Sequence, residues 1–170
     1  MKKVLLLLTV ICGLTVAAKA QSKSETGKFS IGVEAGLPLG SFGDGYSFGI
    51  GGSLKYDQPV AEGTFVTGSA GYTSFIGKDV TVPGLGTFKN SAAGFVPVKV
   101  GVKYFLAESF YGEAQLGAAF STQSGGGTAF AYSPGIGYQF SPNVDLGVRY
   151  EAWSNNGTIG QVAARLAYSF

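Results

Sequence analysis

Eight times between about Lys28 and Phe170 the sequence alternates apolar residues with polar or small ones at period two. This spacing puts one set on each face of a β-strand. After residue 20 no stretch is long and apolar enough for a membrane-spanning helix. Yet only 13% of the chain is charged, against ~25% in ordinary soluble domains. Such a chain must dispose of its apolar residues by alternation. Three architectures allow this: a soluble sandwich, a soluble barrel, and a barrel whose apolar face meets lipid.

The clearest segment is the fourth, about Phe95 to Phe105, where Val96, Val98, Val100, Val102 and Tyr104 alternate with Pro97, Lys99, Gly101 and Lys103. The first runs from about Lys28 to Leu37, with Glu34 opposite Val33 and Ala35. The second, about Tyr46 to Tyr56, sets Tyr46, Phe48, Ile50, Leu54 and Tyr56 against Ser53 and Lys55. The third, about Thr64 to Phe75, has Val66, Ala70 and Tyr72 outward and Thr67, Ser69 and Thr73 inward. The fifth, about Phe110 to Phe120, turns Tyr111, Glu113 and Gln115 inward. The sixth, about Ala129 to Phe140, turns Ser133, Gly135, Gly137 and Gln139 inward. The seventh, about Asn143 to Trp153, does the same with Asp145, Arg149 and Glu151. The eighth, Ile159 to Phe170, has Gln161, Arg165 and Ser169 on one face and Val162, Ala164, Leu166, Tyr168 and Phe170 on the other. Each segment is close to the ~9–11 residues of a tilted transmembrane strand. An even number lets an up-and-down sheet close with no open edge in hydrocarbon.

The connections alternate in character. Asp57 to Gly63, Leu106 to Ser109 and Ser141-Pro142 are tight, whereas Pro38 to Gly45, Gly77 to Gly94, Ser121 to Thr128 and Ser154 to Thr158 are rich in Gly, Ser and Asn. In a membrane barrel the tight set would be periplasmic and the other set extracellular. Aromatic residues gather near segment ends. Phe29, Tyr56, Tyr104, Phe110, Tyr138, Phe140, Tyr168 and Phe170 are expected at the periplasmic ends, and Phe48, Tyr72, Phe75, Phe120, Phe130 and Tyr132 near the outer ends. Two interfacial rings favour a bilayer over a sandwich, which would bury aromatics at strand centres.

Residues 1–20 have the form of a secretory signal peptide: basic Lys2 and Lys3, an apolar run from Val4 to Val16, and the small-x-small site Ala18-Lys19-Ala20. Cys12 reads as part of that run, lipidation being the lesser alternative. Residues 21–170 are then one domain, with nine Lys and Arg against ten Asp and Glu and no Cys. The charge balance gives no ground for nucleic-acid binding, and no disulfide framework is expected.

From residue 21 onward the chain resembles the small eight-stranded outer-membrane barrels of the OmpA/OmpX type. In detail it is similar to Bacteroidetes-type outer membrane β-barrel domain or porin family proteins. The resemblance is carried by Gly32-Val33-Glu34-Ala35-Gly36-Leu37-Pro38-Leu39-Gly40-Ser41-Phe42-Gly43 and by the Tyr168-Ser169-Phe170 ending. It implies an all-β fold: an eight-stranded antiparallel up-and-down transmembrane β-barrel in the outer membrane of a Gram-negative bacterium. It also implies that Leu166, Tyr168 and Phe170 signal to the barrel-assembly machinery. A monomer surrounded by outer-membrane lipids is expected, with no extracellular partner identified. No periplasmic domain is expected after the barrel, and hence no peptidoglycan anchoring.

The inward faces collect Glu34, Lys55, Lys99, Lys103, Glu113, Gln115, Asp145, Arg149, Glu151, Gln161 and Arg165, five cations against four anions. At ~8 strands the interior is filled by its own side chains, so these residues are expected to plug the lumen. A narrow channel, opened by rearranged pairs, is the alternative. A soluble lipocalin-like barrel with an apolar ligand is a third reading. The chain contains no His, so the His-dependent hydrolase arrangements of other barrels cannot be assembled. Neither an enzyme, a cofactor nor a metal site is expected. Paired carboxylates such as Glu113 and Glu151 read more simply as salt-bridge partners than as glycosidase groups. Gly49-Ile50-Gly51 and Gly135-Ile136-Gly137 read as barrel glycines rather than nucleotide loops. Asn156-Gly157-Thr158 reads as a turn rather than a glycosylation site. Were a ligand bound, the Gly77 to Gly94 loop and Trp153 would be the first places to look.

Overall fold

The computed structural model describes residues 26–82 and 86–170; the expected signal peptide at 1–20, with Cys12, lies outside them. Eight strands close into one antiparallel barrel: β1 (Lys28–Leu39), β2 (Tyr46–Ala61), β3 (Thr64–Gly77), β6 (Ala93–Phe105), β7 (Phe110–Ser121), β8 (Thr128–Ser141), β9 (Val144–Ser154) and β10 (Thr158–Ser169). Neighbours in sequence are neighbours in the barrel, and β1 closes on β10. The short helix α1 (Gly40–Gly45) joins β1 to β2. Between β3 and β6 a two-stranded ribbon, β4 (Asp79–Val82) with β5 (Gly86–Lys89), stands apart from the barrel.

Alternation decides which face meets which medium. Val98, Val100 and Val102 of β6 are 45%, 56% and 50% exposed, while the intervening Lys99 and Lys103 are buried. The same inversion holds around the barrel: Ile31, Val33, Ile50, Leu54, Leu116, Ile136, Val148 and Leu166 are exposed, and Glu34, Lys55, Asp145, Glu151 and Arg165 are buried. Apolar outside and polar inside is the reverse of a lipocalin-like barrel, whose cavity must be apolar to take an apolar ligand. Such an exterior is stable only against hydrocarbon.

Both ends of the described chain lie at one rim, where Phe170 N donates to Phe29 O. The connections at that rim are short, at Glu62–Gly63, Leu106–Ser109 and Pro142–Asn143. The opposite rim carries α1, the β4–β5 ribbon, residues 122–127 and Asn155–Gly157. Short turns mark the periplasmic rim and longer loops the extracellular one.

Four sequence expectations need correction. Strand β2 runs on to Ala61, which puts Asp57 on a strand, two residues from Lys55 and facing the same way, instead of in a turn. The loops at Pro38 to Gly45 and Gly77 to Gly94 contain a helical turn and a hairpin. Tyr46 turns inward, because the register shifts between Tyr46 and Phe48 where an extra residue is inserted; such a bulge reverses parity beyond it. Phe75 is 0% exposed and points into the barrel, away from the lipid belt; its parity follows that of inward Thr73 two residues before it. Asn156 adopts φ 52° in the final outer turn, and Asn155 N donates to Gly157 O. This is a turn function for Asn156-Gly157. Gly49 to Gly51 and Gly135 to Gly137 lie within β2 and β8.

Candidate functional site

The barrel lumen gathers the chemistry of this chain. Glu34, Lys55, Lys99, Lys103, Gln115, Asp145, Glu151, Gln161 and Arg165 are buried within it, and Glu113 and Arg149 are half-buried. Asp57 joins them, so among the described lumen residues five cations meet five carboxylates. The sequence reading omitted Asp57; extending the period-two count past Lys55 would have found it.

Toward the outer half, Glu151 is the hub. Its Oε2 lies 2.9 Å from Lys99 Nζ and 2.6 Å from Arg149 Nε. Its Oε1 accepts from the Trp153 indole Nε1 at 3.0 Å. Arg149 spends its other arm on Glu34, Nη2 to Oε2 at 2.6 Å. From mid-barrel Arg165 reaches toward the periplasmic half, donating through Nε to Ser53 Oγ at 2.8 Å and through Nη2 to Ser30 Oγ at 3.1 Å. Its guanidinium lies over Gly32, where a Cβ would collide with it. Toward the periplasmic half, Lys55 pairs with Glu113 at 3.1 Å and with Asp57 at 3.5 Å. Lys103 pairs with Asp57 at 3.3 Å, with its ammonium 4.2 Å from the Tyr111 ring centroid and 5.1 Å from that of Phe105. The Tyr111 hydroxyl donates to Asp145 Oδ1 at 2.6 Å, and Gly137 leaves room for its ring. Gln115 Nε2 donates to Thr67 Oγ1 at 3.0 Å, and its Oε1 accepts from Ser69 Oγ.

These pairs are largely not the cross-strand neighbours. Lys103 stands opposite Glu113 in the β6–β7 register but pairs with Asp57 of β2. Glu113 reaches Lys55, also of β2, with β6 and β3 lying between in barrel order. Lys99 of β6 reaches Glu151 of β9 across two intervening strands. The contacts cross the lumen and tie opposite walls together. In this low-dielectric interior, paired charges are tolerable where lone ones are not.

The outer end is closed by aromatic packing. Phe75, Trp153, Ala119 and Ala131 form a buried cluster against which Phe42, Tyr46 and Phe95 pack. Phe75 meets Trp153 edge-on at 5.7 Å, and Phe42 of α1 caps Phe75 at 4.9 Å. Trp153 is therefore a buried part of this seal rather than an exposed ligand contact. What space remains in mid-lumen is about 40 Å³, enough for a few waters at ~10–15 Å³ each. Among the described residues no group of His, Cys, Asp and Glu is arranged to hold a metal ion. The arrangement immobilises charges in mutual pairs, and the sequence pattern gave no signal for which pairs form.

Leu166, Tyr168 and Phe170 share the exposed face of β10, with the Tyr168 and Phe170 rings edge-to-face at 5.3 Å.

A family model described as the outer membrane protein beta-barrel domain matches residues 6–170. No curated protein matches the sequence. Among solved structures the chain is similar to Ail, the attachment invasion locus protein of Yersinia pestis, at 22% identity and TM-score 0.57, covering 85% of this chain and 97% of that one. It is also similar to the N-terminal β-barrel domain of Pseudomonas aeruginosa OprF at 12% identity and TM-score 0.56, covering 85% and 100%. Neisserial surface protein A follows at 14% identity and TM-score 0.50, covering 88% and 100%. At these identities the likeness is one of fold.

Proposed function

Because the chain belongs to the outer membrane protein β-barrel domain family, and is thus an integral barrel of a Gram-negative outer membrane, we propose that it serves the envelope as a closed, non-enzymatic barrel that presents its outer loops. The observation that carries this reading is the filled lumen: cross-lumen ion pairs in the middle and an aromatic seal under the outer loops. A barrel so filled offers no path for solutes, and what it presents outside is the extracellular rim. A narrow channel remains the competing reading, favoured only by the central space of about 40 Å³. Purified protein in planar bilayers should give no reproducible single-channel steps. Steps that change on Glu113→Gln or Arg149→Gln would overturn the plug.

The partners follow from surface chemistry. Lipid covers the apolar exterior. The barrel-assembly machinery is the proposed reader of Leu166, Tyr168 and Phe170. One structure of Ail holds the heparin analogue sucrose octasulfate. The outer connections of this chain carry Lys78 and Lys89 against Asp44 and Asp79. A balanced, Gly-, Ser- and Asn-rich rim suits a neutral polar partner better than a polyanion.

A further inference from the structure

The aromatic cluster at the outer end of the lumen is capped by a segment with little of its own to hold it in place. Helix α1 spans only Gly40–Gly45, far short of the ~12–15 residues at which an isolated helix becomes marginally stable. Gly40, Gly43 and Gly45 are half of it, and glycine is unfavourable in a helix. No side chain caps its amino end, and none of its residues is fully buried. Its aromatic contact with the cluster is the half-buried Phe42, which meets Phe75 at 4.9 Å and Tyr46 at 4.5 Å.

The restraint comes from another loop. Lys78, just before β4, and Asn90, just after β5, form the base of the ribbon. The two legs touch there, since a Cβ on Gly77 would run into the Asn90 carbonyl oxygen. Lys78 Nζ donates to Gly43 O at 2.5 Å, and Asn90 Nδ2 donates to Gly45 O at 3.1 Å. Carbonyls in the last turn of a helix lack internal donors and carry its negative dipole end. An ammonium suits them by charge as well as by hydrogen bonding. Lys78 N also donates to Gly45 O at 2.8 Å, one step past the Tyr46–Gly77 pair of the β2–β3 ladder. That backbone bond ties the end of α1 to the barrel wall, while the Lys78 side chain reaches further back, to the residue after Phe42. At the other end Gly40 has φ 59°, a conformation that other residues rarely adopt. Gly43 is closely seated: a Cβ there would come 2.9 Å from Pro38 O.

We propose that α1 is a lid on the outer end of the lumen, latched by the Lys78 side chain, and that releasing the latch lifts Phe42 and uncovers Phe75 and, behind it, Trp153. The seat left by Phe42 is apolar, the size of one ring, and bordered by Tyr46 and Phe75. Its opening is set by a residue of the ribbon loop and not by α1 itself. The lid goes beyond the closed-lumen reading and does not contradict it, because the ion pairs beneath stay made whether the lid is up or down.

Trp153 is the only tryptophan in the sequence and is 2% exposed, so its fluorescence reports on the cover alone. In the full barrel folded in detergent, acrylamide should quench it weakly. Phe42→Ala should raise the quenching constant several-fold and sets the value for an uncovered cluster. Lys78→Met should move most of the way to that value, and Lys78→Arg, which keeps a cationic donor, should stay near wild type. Gly43→Ala, which props α1 against Pro38 O with Lys78 intact, should also raise it. Urea midpoints of all four variants should stay near wild type, since no strand residue changes. Wild-type quenching in Lys78→Met, or in Phe42→Ala, would overturn the lid and leave the plug standing. Single-channel conductance of the wild type in planar bilayers would bring down the plug, while a quenching difference between Lys78→Met and Lys78→Arg would still uphold the lid.

Discussion

Glu151 is the residue on which the outer half of the lumen depends. It is 1% exposed and holds Lys99, Arg149 and the Trp153 indole at once. Glu151→Gln should therefore lower unfolding free energy by ~3–5 kcal/mol, because it strands buried Lys99 and leaves Arg149 with Glu34 alone. Urea titration in detergent micelles measures this. Glu108→Gln, in an exposed turn, should change it by no more than ~0.5 kcal/mol. Equal losses at both positions would remove Glu151 from its role as hub. The inward placement of Glu34, Lys55, Lys99, Lys103, Arg149 and Arg165 follows from parity and is legible residue by residue. Their partners are not, because each long side chain can reach several others across a lumen whose register is set by eight strands together.

At the scale of the element, β6 gives the sharpest comparison. Val98, Val100 and Val102 face lipid while Lys99 and Lys103 face the lumen, so one register fixes both media. Val100→Arg places a charge near mid-span on the lipid face and should cost ~2–4 kcal/mol, against ~0–1 for Leu106→Arg at the periplasmic turn. The ratio of folded to unfolded bands on unheated gels, followed through a urea series, would show it. Indifference at Val100 would mean that this face does not meet hydrocarbon. Strand β2 shows where parity fails. A single inserted residue between Tyr46 and Phe48 turns Tyr46 inward, where it packs on Phe42 at 4.5 Å. No composition marks that insertion, since Ser47 is as ordinary in a strand as in a bulge. Only the pairing of Gly49 with Phe75 and of Tyr46 with Gly77 locates it.

For the whole molecule, closure is the decisive event. Strand β1 pairs with β10 through ten successive residue pairs, from Ser30 with Ser169 to Leu39 with Gly160, which removes both free edges. Phe170 extends this seam, its N–H donating to Phe29 O at 2.9 Å. If the terminal aromatic residue also guides assembly, Phe170→Ser should cut the outer-membrane yield several-fold while the protein refolded in vitro keeps a near-wild-type unfolding midpoint. Equal loss in both settings would make Phe170 a stability residue instead. The eight period-two segments, the alternation of short and long connections and the sparse charge determine an outer-membrane barrel with a polar lumen, because strand parity and the demands of hydrocarbon are local rules that each segment obeys by itself. Which cation meets which carboxylate, the inward turn of Tyr46, and the part of Phe75 and Trp153 in the outer seal arise only once the strands close. Distances across a lumen depend on stagger and bulges summed over the whole circumference, and no single strand carries that information.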